Sequence, residues 1–190
     1  MALVNQGEKS FFIDNKGNVK IDLGQRTSMS FSDGFAYIEA DNKYGFIDKE
    51  GKEIIKTVYE DAGMFIEGLA RVMKNGKWGY INKNGKVVID FQFEDTPGFK
   101  EGFAAVKIGD KWGFIDKNGE TIIPINQEKV RYYFSEELVG VRRNGKWGYM
   151  NSNNELVIEF QFSDCGSFKN GIATVRSDEN NNWGMIRLKK

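Results

Sequence analysis

Three kinds of side chain in this sequence could do chemistry: carboxylates that return once per copy of a repeated motif, one thiol, and a ladder of indoles. Asp61, Asp95 and Asp164 hold equivalent places ahead of a recurring phenylalanine, with Thr27 and Val130 in that slot elsewhere. Carboxylates spaced one per repeat lie far apart and do not meet as an acid and a base, so hydrogen bonding within a connecting segment is their expected role. Asp14, Asp48, Asn82, Asp116 and Asn151 each open a short polar turn. Strings such as Asp116-Lys117-Asn118-Gly119-Glu120 are faintly like calcium loops, but the further oxygen ligands and the bidentate Glu at the twelfth position are missing. Capping of a turn by the Asx side chain accounts for these positions. Cys165 is the one cysteine, and the chain has no histidine. That removes the commonest general acid-base group near neutral pH, and it leaves the thiol without a His to activate it. Neither a Gly-rich phosphate loop nor a Cys/His metal cluster is present, so no catalytic residue, metal or cofactor is expected. A hydrolase using two carboxylates remains only as a third class, because two acidic groups can meet in any fold.

The indoles carry the strongest signal. Lys77-Trp78-Gly79-Tyr80-Ile81-Asn82, Lys111-Trp112-Gly113-Phe114-Ile115-Asp116 and Lys146-Trp147-Gly148-Tyr149-Met150-Asn151 are plain copies of one motif. Lys43-Tyr44-Gly45-Phe46-Ile47-Asp48 carries Tyr for Trp, and Asn182-Trp183-Gly184-Met185-Ile186-Arg187 is a worn copy. Residues 44, 78, 112, 147 and 183 are spaced by 34, 34, 35 and 36. A fixed period of this size is the mark of a modular repeat array. Tyr44, Trp78, Trp112, Trp147 and Trp183 are therefore read first as a repeated structural core, and second as stacking platforms for a ligand. A fully buried large aromatic contributes about 2–3 kcal/mol, enough for one per copy to hold a short repeat together.

The elements that position these residues follow from residues 69 to 102. Leu69 to Val72 is strand-like, and Asn75-Gly76 is a type I′ hairpin signal, because both centres need positive φ. Trp78 to Asn82 is the next strand, with Trp78 and Tyr80 on one face and Gly79 and Ile81 on the other. Asn82-Lys83-Asn84-Gly85 reads as a type I turn closed by a left-handed glycine. Its glycine column recurs as Gly17, Gly51, Gly85 and Gly119, with Asn154, a tolerated left-handed residue, in the last slot. Val87 to Ile89 is the third strand. Asp90 to Gly102 then connects to the next copy, anchored by Phe91, Phe93 and Phe99, and the Phe99 column recurs as Phe31, Phe65, Phe134 and Phe168.

The motif closely resembles the bacterial WG-repeat (KWG repeat) family over residues 9 to 188. That resemblance implies a β-rich interaction module without shared catalytic residues. A weaker similarity, to choline- and glucan-binding hairpin repeats, keeps a glycan or cell-wall ligand as the alternative. The expected fold is all-β: tandem repeats of about 34 residues, each a three-stranded antiparallel meander, stacked as a solenoid or superhelix. Five-bladed propeller-like closure is the other architecture. The array spans 1–190, with a degenerate copy at 9–42, full copies at 43–76, 77–110, 111–145 and 146–181, and a truncated copy at 182–190. Degenerate end copies suit the capping of a stacked array.

One copy breaks the period. A residue is inserted between Pro124 and Phe134, and Glu137 stands where Gly68 stands in an earlier copy. Arg131, Tyr132, Tyr133, Arg142 and Arg143 gather there, and Arg and Tyr are enriched at interface hot spots. They are the expected partner-binding residues, with ordinary drift of a surface segment as the bland alternative. Lys and Arg total 27, as do Asp and Glu, so no chain-wide pull toward nucleic acid exists. No 18-residue apolar run or signal-peptide pattern is present, so membrane insertion is not expected. Cytoplasmic residence is the default, and export the alternative where a leader has been removed. The expected function is a non-catalytic scaffold for another protein.

Overall fold

Short β-branched and aromatic runs bounded by Gly or Asx become strands in the computed structural model, and the described residues, 1–177, 179 and 181–188, contain no helix. Consequently no described helix is long and apolar enough to cross a membrane. Residues 178 and 180 of the copy at 146–181 and the last two of the truncated copy lie outside the described residues.

The chain forms two compact units, Met1–Gln92 and Phe93–Lys190. In the first, β1 (Ala2–Gln6), β2 (Lys9–Ile13) and β3 (Val19–Gly24) make a three-stranded sheet. A four-stranded sheet follows from β4 (Thr27–Ser28), β5 (Ala36–Ala40), β6 (Lys43–Ile47) and β7 (Glu53–Tyr59). The next is β8 (Asp61–Ala62), β9 (Leu69–Lys74), β10 (Lys77–Asn82) and β11 (Val87–Phe93). In the second unit, β12 (Asp95–Lys100), β13 (Phe103–Ile108), β14 (Lys111–Asp116) and β15 (Thr121–Gln127) form one sheet. Another consists of β16 (Lys129–Val130), β17 (Leu138–Arg143), β18 (Lys146–Asn151) and β19 (Leu156–Phe162). The last has three strands, β20 (Asp164–Cys165), β21 (Ile172–Arg176) and β22 (Trp183–Arg187). All are antiparallel and ordered as in the sequence.

Each expected three-stranded meander is thus present, and the connecting segment extends it with an additional first strand, two residues long in β4, β8 and β16 and six in β12. The third strand is also longer than Val87–Ile89: it runs on through Phe91 to Phe93. The turns have the chemistry their residues demand. Asn75 and Gly76 have φ of 53° and 70°, as a type I′ turn requires. Asn82 Oδ1 accepts the N–H groups of Asn84 and Lys86, both at 3.0 Å, and Asp14, Asp48, Asp116 and Asn151 repeat that pair of bonds. In each of them Oδ1 is committed to the turn. Asn154 has φ 62° in the place of Gly85 at 75°.

Alternation along the motif strand explains the packing, since successive side chains point to opposite faces. Phe46 packs with Phe65, Ala70 and Ile81 of the following sheet, while Ile47 packs back on Phe12 and Ile21 of the preceding one. In the second unit Trp112 and Phe114 face Phe134, Val139 and Met150, and Trp147 and Tyr149 face Phe168, Ala173 and Val175. The phenylalanine column locks each step. Phe65 lies 4.8 Å from Phe46, Phe134 5.1 Å from Phe114, and Phe168 4.9 Å from Tyr149, all edge-on. Ser32 and Ser135 hydroxyls donate to the carbonyls of Phe65 and Phe168, each at 2.6 Å. The motif glycine leaves room for the third strand to arch over it: a Cβ on Gly45, Gly113 or Gly148 would lie 2.6 Å from a carbonyl oxygen of that strand.

Candidate functional site

Trp78, Trp112 and Trp147 are buried, and Tyr44 is half-buried against Tyr37, with ring centroids 5.7 Å apart. Trp183 corrects the expectation of a buried ladder: it is 58% exposed. The face that Trp147 presses onto a following sheet is, at Trp183, turned to solvent. Three of the indoles carry a cation over the ring. The Arg71 guanidinium sits 4.6 Å from the Trp78 centroid, Arg131 4.7 Å from Trp147, and Lys107 5.9 Å from Trp112.

The two arginines reach their indoles from different places in the copy, Arg71 from a strand and Arg131 from the segment that follows β16. Arg71 lies on β9 and covers Gly63, whose added Cβ would meet Arg71 Cγ at 2.8 Å. In the irregular copy the pair is exchanged. Arg131 takes the glycine's place, donating its N–H to the Gly140 carbonyl at 2.8 Å as Gly63 does to Arg71 at 2.9 Å. Gly140 stands where Arg71 stands, and a Cβ there would lie 3.0 Å from Arg131 Cγ. The extra residue is therefore accommodated at Tyr132 and Tyr133. Lys129 pairs with Arg142 as Asp61 pairs with Met73, so Lys129, not Val130, holds the Asp61 slot.

A cleft of about 590 Å³ opens at this break, lined by Trp112, Lys129, Arg131, Tyr132, Arg142 and Trp147, with Ser163 and Asp164 where the chain enters the next sheet. Three of the five expected partner-binding residues meet there: Arg131, Tyr132 and Arg142. Tyr132 covers Trp112, with centroids 5.3 Å apart. The other two point elsewhere. Tyr133 lies under the Lys100 ammonium at 5.3 Å, and Arg143 donates to Gln127 Oε1 from Nε (3.3 Å) and a terminal nitrogen (3.2 Å) above the Phe160 ring. Lys129, Ser163 and Asp164 lay outside the sequence expectation for this site. Their signal was the period itself, because Asp164 is 33 residues from Arg131 and adjacent copies face each other.

Three cations line the cleft against one carboxylate, Asp164, which Arg131 already engages, together with the Cys165 carbonyl. The Arg142 Nε lies 4.0 Å from Glu128, whose carboxylate caps the Asn144-Gly145 turn at 3.0 Å. The cleft thus has positive charge to spare, aromatic walls, and no second lining carboxylate to act as a base. Beneath it, Cys165 is fully buried, and burial raises its thiol pKa despite the opposing Arg131 charge. Burial likewise lifts the Tyr149 phenol far above its ordinary value while its hydroxyl donates to the Gly166 carbonyl at 2.8 Å.

Among solved structures, a eukaryotic initiation factor is similar over 97% of this chain and 60% of its own, at 11% identity and TM-score 0.60. Hsv2p of Kluyveromyces lactis is similar over 99% of this chain and 71% of its own, at 10% identity and TM-score 0.55. These likenesses concern the fold, and Hsv2 is propeller-like, the second of the two architectures expected from the sequence. No curated protein matches the chain. A model of the WG containing repeat matches residues 44–78, 78–112, 112–147 and 147–183 in tandem, and the chain belongs to that family.

Proposed function

We propose that this protein is a non-catalytic scaffold whose cleft beside Arg131, Tyr132 and Arg142 receives a segment of a partner protein bearing acidic and aromatic side chains. The observation that carries this reading is the coincidence of the break in the repeat with the cationic, aromatic-walled cleft. Arg and Tyr at the rim of a concave site, with aromatic anchors behind them, are the usual components of interface hot spots. Glycan binding is favoured less, because the ring face a sugar would stack on is already covered by Arg131 at Trp147 and by Tyr132 at Trp112. A catalytic role is disfavoured by the absence of histidine and by the commitment of Asp164 to Arg131. A single buried thiol suits a reducing compartment, and we place the protein in the cytoplasm on that ground.

The test compares recovery of partners from host extract by wild-type protein and by the double variant Tyr132→Ala, Arg142→Glu, with thermal melting as the folding control. Specific loss of one or more partners is expected. Equal recovery, or saturable polysaccharide binding that quenches tryptophan emission, would overturn the reading.

A further inference from the structure

We propose that the acidic and aromatic groups received by the cleft are one side chain, a phosphotyrosine, whose phosphate sits between Lys129 and Arg142. This inference rests on the docking role proposed above and names the chemistry of the same site. It starts from a charge reversal at one cross-strand pair. In five sheets the first residue of the leading strand faces a fixed position of the next. Thr27 faces Glu39, Asp61 faces Met73, Asp95 faces Lys107 and Asp164 faces Arg176. In the copy that breaks the period, Lys129 faces Arg142. The copies before and after it in sequence each set a carboxylate against a cation there, and this one sets two cations against each other. Like charges directly opposite across a strand pair are destabilising, so this sheet keeps the pair at the expense of its own stability.

The charge is not offset from within the cleft. Arg131 is spent on Asp164 and the Cys165 carbonyl. Among the described residues the one carboxylate within 4.0 Å of Arg142 is Glu128, and both of its oxygens already accept the Gly145 N–H, at 3.3 and 3.0 Å. Arg142 Nε is buried without a hydrogen bond, and Lys129 has no ion-pair partner among the described residues. Compared with its neighbours in sequence the pair is two negative charges short: one carboxylate is missing and one cation is added. A carboxylate supplies a single charge, whereas a phosphate monoester supplies about −1.5 to −2 at neutral pH. Its three oxygens also suit a guanidinium fork on one side and an ammonium on the other. The ring is called for by the wall beside the pair. Tyr132 is 49% exposed and lies against Trp112 in the same cleft, so an incoming aromatic ring has a partner to pack on.

The probe is phenyl phosphate, titrated into the full chain at pH 8 and followed by amide NMR, with ethyl phosphate to isolate the charge and benzoate to isolate the ring. Saturable shifts centred on 129–132 and 142 are expected. Phenyl phosphate should bind several-fold tighter than ethyl phosphate and at least about tenfold tighter than benzoate. Lys129→Asp restores the carboxylate that Asp95 and Asp164 supply in the neighbouring copies, so its Tm should equal or exceed wild type. Both phosphate esters should nonetheless lose at least about tenfold in affinity for it. Tyr132→Ala should lower the affinity for phenyl phosphate to that for ethyl phosphate. No saturable binding, ethyl phosphate or benzoate bound as tightly as phenyl phosphate, or equal affinity in Lys129→Asp would overturn the proposal. A lowered Tm in Lys129→Asp would show that the cation pair serves the fold, and would overturn it too. Capture of a partner that survives phosphatase treatment of the extract would overturn the phosphate assignment while sustaining the docking role.

Discussion

Replacing Gly113 by alanine adds one methyl group at a place where the backbone of β15 passes directly overhead. The new Cβ would lie 2.6 Å from the Ile123 carbonyl oxygen, 2.7 Å from Ile125 Cα and 2.8 Å from Ile125 Cγ1. Two of these atoms are backbone, so no side-chain rotation relieves them. Ordinary contact begins near 3.4 Å, so β15 must retreat by about 0.8 Å, the difference between 3.4 and 2.6. Overpacking of this kind costs about 1–3 kcal/mol. Loss of glycine's freedom in the unfolded chain offsets about 0.4–1 kcal/mol of that. The net expectation is a destabilisation of about 1–2 kcal/mol, or a fall in Tm of roughly 2–8 °C for a chain of this size. Gly184→Ala is the internal control. With no atom within 4 Å of its Cβ, it keeps only the unfolded-state gain and should leave Tm unchanged or slightly raised. Thermal melting followed by circular dichroism reads both. Equal effects at 113 and 184, or no effect at 113, would refute the claim that the motif glycine exists to admit the arching strand.

Cys165, buried and held protonated, should react with a thiol-specific disulfide reagent at pH 8 only as fast as the protein opens, and rapidly in urea; fast native labelling would contradict its placement. Because its folded pKa is raised, any stability it contributes is present below the unfolded thiol pKa and is lost as pH rises past it. Asp14 behaves oppositely. Hydrogen bonds from the Asn18 side chain, then the Asn18 N–H, with a further one from the Lys16 N–H, hold its carboxyl at about 2. Its contribution is therefore full above the ordinary Asp value and disappears as pH falls toward 2; a carboxyl titration by NMR midway near the ordinary value would show the turn bonds absent. Asn154→Ala should cost about 1 kcal/mol in urea denaturation, because alanine at φ 62° loses asparagine's tolerance of the left-handed region; a neutral result would contradict that backbone assignment.

The repeat was legible because its turns are written in residues with narrow conformational demands. Asx at the head of each turn and Gly or Asn at its left-handed position locate the strands without further information. What escaped were features set by neighbours. Two-residue strands such as Asp61–Ala62 are too short to show an alternating pattern, and β1 carries no copy of the motif. Trp183 looks like Trp147 in sequence, but burial of an indole depends on a following sheet that no local pattern reports. The site was half legible. The broken period pointed to Arg131, Tyr132 and Arg142, while Lys129 and Asp164 join them only through register and the facing sheet. The exchange of Arg71 and Gly63 for Gly140 and Arg131 was also hidden. Either arrangement brings a guanidinium over the ring, so it is the spatial contact that recurs while the sequence position moves.

The most direct measurement of the functional claim places a photo-reactive amino acid at position 132 and, as a control, at the exposed Val58, in cells of the organism that encodes the chain. Irradiation should produce discrete protein adducts at position 132 and none of the same mass at 58. Absence of adducts at 132, or identical adducts at both positions, would contradict a docking role for the cleft.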